Sequence, residues 1–273
     1  MYQNDNHRDA DTYAVIDLEF LFDREAHARY MDREEEGANP KIRWPFRHVV
    51  AAAAMIIRTV GEEGGRKLEV ERFRTFGRPE MSECEILQAL FDLMWDYPDA
   101  TLMTWGGDFA DVAILRAGAL THGLRLPPQL HPRTGRRPQA HPGHIDLSNV
   151  IREKSVPCHM TEVAARLGIP CKTGLKAHEV GLAAERGRWS QVKEQAEIDV
   201  IAAALILGRL LFSIGKIDGS AWSADAEIGY AVLRSHSYRD YGTSIKAWLE
   251  ARGDQTLQRA YAEQLANARP LVA

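Results

Sequence analysis

The first dense run of apolar positions, Tyr13 to Phe20 (YAVIDLEF), reads as a buried β-strand that carries two acids. The stretch Asp23 to Arg43, with Arg33-Glu-Glu-Glu36 and then Asn39-Pro40, is highly charged and is expected to be a solvated excursion. Val49 to Ile57 is a second apolar strand. Gly61 to Gly65 (GEEGG) marks a turn, and Leu68 to Phe73 partly alternates, as a half-exposed strand would. Three strands joined this closely predict an antiparallel meander. Ser82 with Glu85 three residues on is a capping-box signature. Ile86, Leu87, Leu90, Phe91, Met94 and Trp95 then recur at helical spacing until Pro98-Asp99. Thr101 to Trp105 predicts a short strand and Gly106-Gly107 a tight turn. A second amphipathic helix is expected from Phe109 to about Thr121, stopped near Gly123.

Residues 127–143, rich in Pro, Gly, His and Arg, are expected to form a loop, with Ile145 to Leu147 as a strand end. Met160 to Leu167 predicts a short helix capped by Thr161 and stopped by Gly168. The longest helical signal runs from Ser190 to Phe212, mostly Ala, Ile and Leu after Asp199. Beyond Ile214 further helices are expected, including Tyr241 to Ala251 and Leu257 to Ala268. Strands first, then helices alternating with a strand, predict an α/β fold with a mixed sheet.

Composition narrows the chemistry. The chain has 273 residues, enough to bury a core without staples. Lys and Arg number 34 against 38 Asp and Glu, a net charge of -4, so contact with nucleic acid must rest on a local patch. No apolar run approaches the roughly 20 residues of a membrane helix, and no membrane contact is expected. Met1 to Thr12 is polar and lacks the apolar stretch of a signal peptide. Three cysteines (Cys84, Cys158, Cys171) without a CxxC pair suggest neither a disulfide framework nor a cysteine zinc site, and a cytoplasmic setting is expected.

Several acids stand in unusual places. Asp17 and Glu19 are two apart on a strand, so both point to one face, about 7 Å apart along it at roughly 3.3 Å per residue. Paired anions in a partly buried place repel and lose solvation unless cations compensate. An edge strand with a solvent-facing acidic side would also give this pattern. Asp199 interrupts an otherwise apolar helix, where it lies either inward or on an exposed stripe with Glu197 and Gln195. Asp108 and Asp111 follow Trp105-Gly-Gly107. Asp108 as a helix N-cap and Asp111 in the first turn would explain both without any catalysis.

Taken together, Ile16-Asp17-Leu18-Glu19, then Thr104-Trp-Gly-Gly-Asp-Phe-Ala-Asp111, then Gln195-Ala-Glu-Ile-Asp199 resemble the three acidic motifs of the DEDD superfamily of 3'-5' exonucleases. Pro45-Phe46-Arg47-His48, His144-Ile-Asp-Leu147 and Leu167-Gly-Ile-Pro170 before Lys172 are similar to one branch, the predicted exonucleases related to the proofreading domain of family B DNA polymerases. The resemblance covers residues 13 to 212. It implies an RNase H-like mixed sheet flanked by helices at 13–213, after a polar tail at 1–12 and before a helical extension at 214–273. It also implies two divalent cations, Mg²⁺ or Mn²⁺, held by Asp17, Glu19, Asp111 and Asp199, with Asp17 as the bridge and Glu19 orienting the water. The substrate would be DNA or RNA, shortened from a single-stranded 3' end. Two hard cations about 3.5–4 Å apart suit phosphodiester hydrolysis, and oxygen donors suit such cations.

The chain departs from that pattern where relatives carry Tyr four residues, or His five residues, before the last Asp. Here these positions are Gln195 and Glu194. Gln195 can orient a water by hydrogen bonding but is a poor base, and Glu194 or His178 are the alternatives. Gly106 and Ala110 replace the usual Asn and Phe. A basic loop with Arg133, Arg136 and Arg137 is a candidate phosphate grip, and Trp105 a candidate for stacking a terminal base. A solvated loop and a core tryptophan are the plain alternatives. Asp146 reads as a supporting acid or a cap. Two rival functions stand beside the exonuclease: a nucleic-acid-binding protein on a degenerate nuclease scaffold, and a hydrolase of small phosphate compounds.

Overall fold

A computed structural model of the chain describes residues 11–132, 143–171, 174–176, 178–236 and 239–252. The expected meander is present: β1 (Thr12–Phe22), β2 (Arg47–Val60) and β3 (Lys67–Gly77) pair antiparallel in sequence. Between β1 and β2 the charged, solvated excursion takes the form of a helix, α1 (Arg24–Glu34). It buries no residue, so no apolar stripe announces it. Its Asp23 cap accepts from the Ala26 amide at 2.8 Å.

After β3, α2 (Glu83–Asp96) starts at the capping box of Ser82 and Glu85. Next come β4 (Thr101–Thr104) and α3 (Asp111–His122), the latter closed by Gly123 in the left-handed region that favours glycine. Then follow β5 (His144–Asp146), α4 (Leu147–Arg152) and α5 (Met160–Leu167). After them come α6 (Glu179–Glu185), α7 (Trp189–Ser213), α8 (Ala221–His236) and α9 (Asp240–Arg252). The helix expected at Leu257 to Ala268 lies outside the described residues.

Among the described residues the sheet has the order β3-β2-β1-β4-β5, with β4 and β5 parallel to β1. This is the RNase H-like mixed sheet that the sequence leads one to expect, flanked by helices and followed by C-terminal helices. Strand alternation sorts its two faces. Ala14, Ile16 and Leu18 of β1 pack with Leu87, Leu90 and Ile114 of α2 and α3. Tyr13 and Val15 look the other way, toward Val200, Ile201 and Ala204 of α7 and Ile228 of α8. Asp17 and Glu19 continue that second face, so the alternation that buries Val15 also turns both acids toward α7.

Candidate active site

The pleat alone would leave the two β1 acids well apart, yet their oxygens converge with those of a third residue. Asp17, Glu19 and Asp199 each offer a carboxylate oxygen, and these atoms all lie within 4.8 Å of one another. The register helps: Asp17 stands opposite Ala53 and Glu19 opposite Ala51 on β2, where short side chains leave room beside the carboxylates. The pairing shifts by one residue just after Glu19, between Glu19 and Phe20. On α7, Gln195 lies one turn before Asp199, so the two share a face. The Gln195 amide, almost fully buried, donates from Nε2 to Asp199 Oδ2 at 2.8 Å and holds that carboxylate in place. Asp199 therefore faces the cluster and does not sit on an exposed stripe with Glu197, which is fully buried on another side of the helix.

Asp111 joins them from α3. It is the first residue of that helix, 8% exposed, where the amide dipoles favour an anion. The turn that delivers it is pinned from below. Asp146 accepts from the Gly106 amide at 2.8 Å and from the Asp108 amide at 3.3 Å. It also caps α4 through the Ser148 amide and hydroxyl at 2.9 and 2.7 Å. Gly107 sits so close over Thr104 that any Cβ there would collide with the threonine side chain. Asp108 does not cap α3 as expected. Its carboxylate takes Asn149 Nδ2 at 2.7 Å and lies 3.2 Å from His144 Nδ1, while His144 Nε2 meets the Thr104 hydroxyl at 2.7 Å. Asp111, not Asp108, faces the cleft.

The four acids line a cleft of about 350 Å³. Unit charges about 5 Å apart repel by roughly 3 kcal/mol at an effective dielectric near 20, so several anions so close cannot all stay ionised unaided. Their proton affinities say the same. Burial first, then Asp199, Glu19 and Asp111, push Asp17 well above the carboxylate range. Burial and then Asp199 and Asp111 raise Glu19 to about 8. Burial and the neighbouring Asp146 raise Asp111 to about 7, with the Arg47 guanidinium pulling the other way. Hard oxygen donors gathered at such electrostatic cost fit a divalent cation site.

The remaining candidates separate. Trp105 is half-buried; it packs against the core and also lines the cleft. Arg133, Arg136 and Arg137 lie outside the described residues. Glu194 and His178 are not among the cleft residues. His159, next to Cys158, does line it, from the N-cap of α5. Arg47, on β2, was overlooked as a site residue. Its guanidinium lies 4.6 Å over the ring of Phe20, a cleft residue, and its signal was its place inside the Pro45-Phe46-Arg47-His48 fragment.

A family model described as "Predicted 3'-5' exonuclease related to the exonuclease domain of PolB" matches residues 39–252. That span holds Asp111, Gln195 and Asp199, while β1 with Asp17 and Glu19 precedes it. Among solved structures, the chain is similar to the family B DNA polymerase from the hyperthermophilic archaeon Pyrobaculum calidifontis, at 15% identity and a TM-score of 0.44. The similarity covers 82% of this chain and 29% of the polymerase chain. No curated protein matches the sequence.

Proposed function

This chain belongs to the family of predicted 3'-5' exonucleases related to the exonuclease domain of PolB, and we propose that it hydrolyses the terminal phosphodiester bond of DNA or RNA from a single-stranded 3' end. The observation that carries this reading is the convergence of Asp17, Glu19 and Asp199 oxygens within 4.8 Å, with Asp111 on the same cleft. Asp17, Glu19, Asp111 and Asp199 would hold two Mg²⁺ or Mn²⁺ ions. When bound, such ions lower the proton affinity of water and neutralise charge growing on the attacking and leaving oxygens. The chain's own groups do the positioning. Gln195 fixes the rotamer of Asp199, Glu19 orients the water, and Phe20 and Trp105 offer ring faces to the terminal base. With the Gln195 amide committed to Asp199, His159 takes the role of proton acceptor that relatives give to Tyr or His.

A second reading, a strand-binding protein without turnover, draws on that same committed amide, which leaves no titratable group at position 195. One experiment separates the two. A single strand labelled at its 5' end, incubated with the protein and Mn²⁺, is expected to give a ladder shortening from the 3' end, and Asp17→Asn is expected to abolish it. Retention of the strand without shortening supports the binder, and an active Asp17→Asn protein overturns the metal site.

A further inference from the structure

The segment that joins α1 to β2 runs Lys41-Ile-Arg-Trp-Pro-Phe-Arg47, alternating cations with large apolar side chains. In a merely solvated loop the apolar members have nothing to do. Here they stand in the open: Ile42 is 51% exposed and Trp44 43%. The backbone beneath them is nevertheless fixed. Trp44–Phe46 forms a single tight turn with Pro45 inside it, and the turn packs against α3, the helix that begins at Asp111. Phe46 stacks edge-on with His27 at 4.8 Å and tilts against Tyr30 at 5.3 Å, while the Tyr30 hydroxyl accepts from the Asn39 amide at 2.9 Å. The chain is thus tied to α1 at Phe46 and at Asn39, just before the segment. Lys41 and Arg43 are exposed, and among the described residues neither forms an ion pair. At the far end Arg47 leans over Phe20 on the cleft.

We infer that Lys41–Arg47 is a binding surface for the single strand whose 3' end enters the cleft, with Lys41, Arg43 and Arg47 contacting successive phosphates and Trp44 stacking a base. The occupant follows from the chemistry. Two exposed cations that form no ion pair among the described residues, interleaved with an exposed indole and continuous through Arg47 with the cleft, match a strand that alternates phosphates with flat bases. The inference rests on the proposed exonuclease reading for the strand's direction alone.

Fluorescence anisotropy with a labelled oligothymidylate of roughly a dozen nucleotides, in calcium, tests the surface directly. Lys41→Glu/Arg43→Glu is expected to raise Kd at least tenfold. It should also flatten the slope of log Kobs against log salt by about 1.4, two contacts at roughly 0.7 each on a single strand. Trp44→Ala is expected to raise Kd by about tenfold with the slope retained. Lys246→Glu on α9, an exposed charge reversal elsewhere, serves as the control. Wild-type Kd and slope in the double variant, or equal weakening by Lys246→Glu, overturns the surface. Failure of the wild-type protein to shorten a strand that it binds in this manner sinks the exonuclease reading and leaves the surface standing.

Discussion

At the scale of single residues, the cluster makes opposite demands with and without cations. Asp17 must either stay ionised beside other anions or take up a proton on folding, a cost that Asn does not carry, so in EDTA at pH 8 Asp17→Asn is expected to be more stable than the wild type by about 1–3 kcal/mol. In Mn²⁺ the order should reverse, because the wild type alone gains binding energy. Urea unfolding in the two buffers measures both, and a variant less stable in EDTA contradicts the picture of mutually repelling acids. His159→Ala is expected to lower kcat by about 10²–10⁴-fold with KM little changed, as for loss of a proton acceptor; unchanged kcat removes His159 from the mechanism. Asp17, Glu19 and Asp199 were legible in the sequence because each breaks an apolar pattern, whereas Asp111, at a helix start, stood out only through the motif that resembles the exonucleases. Asp146 was harder, since Asp at a helix start is ordinary, and its hold on the Gly106–Asp108 turn is a contact across the sheet. His159 carried no spacing signal at all.

At the scale of elements, the site depends on how a turn and a helix are seated. Gly107 approaches Thr104 too closely for a side chain. Gly107→Ala is therefore expected to displace the first turn of α3 with Asp111, reducing activity at least tenfold while the fold survives. Circular dichroism and rates of strand shortening together check this, and a fully active Gly107→Ala protein would show that the turn does not position Asp111. The meander, α2, the β4–α3 unit and α7 were readable because each has a period or a cap: alternation in β1, Ser82 with Glu85, Gly123 after α3. The helix α1 was not, because a helix without a buried face has no stripe. The cap of α5 was also misplaced, at Thr161 and not His159, whose amide donates to Glu162 at 2.6 Å.

At the scale of the whole molecule, the helices after residue 214 share the core of the sheet. Ile228, Val232, Ile245 and Leu249 pack in the same cluster as Val15 and α7. Glu197, fully buried, receives Arg239 at 2.9 Å and the Tyr241 hydroxyl at 2.9 Å, which fastens the start of α9 to the helix that carries Asp199. Arg239→Ala would leave that buried carboxylate with the Tyr241 hydroxyl but without the guanidinium, an expected loss of about 3–5 kcal/mol by urea unfolding. Long-range pairing of this kind leaves no mark on sequence periodicity, so residues 214–252 were legible as helices but not as partners of α7. The acids also give the molecule a pH response. Asp17, Glu19 and Asp111 keep protons in the folded, metal-free chain at pH values where the unfolded chain has lost them. Stability without metal should therefore fall as pH rises from about 4 through 7–8. The melting-temperature gain from Mn²⁺ should grow over the same range as the protons leave; a gain that shrinks with rising pH contradicts it.

If four carboxylates from β1, α3 and α7 are gathered to hold cations, the ions should be visible between them. Anomalous diffraction from crystals soaked in Mn²⁺ tests it most directly. Two peaks, about 3.5–4 Å apart, ligated by Asp17, Glu19, Asp111 and Asp199, are expected. A cleft without an anomalous peak at saturating Mn²⁺ would contradict it.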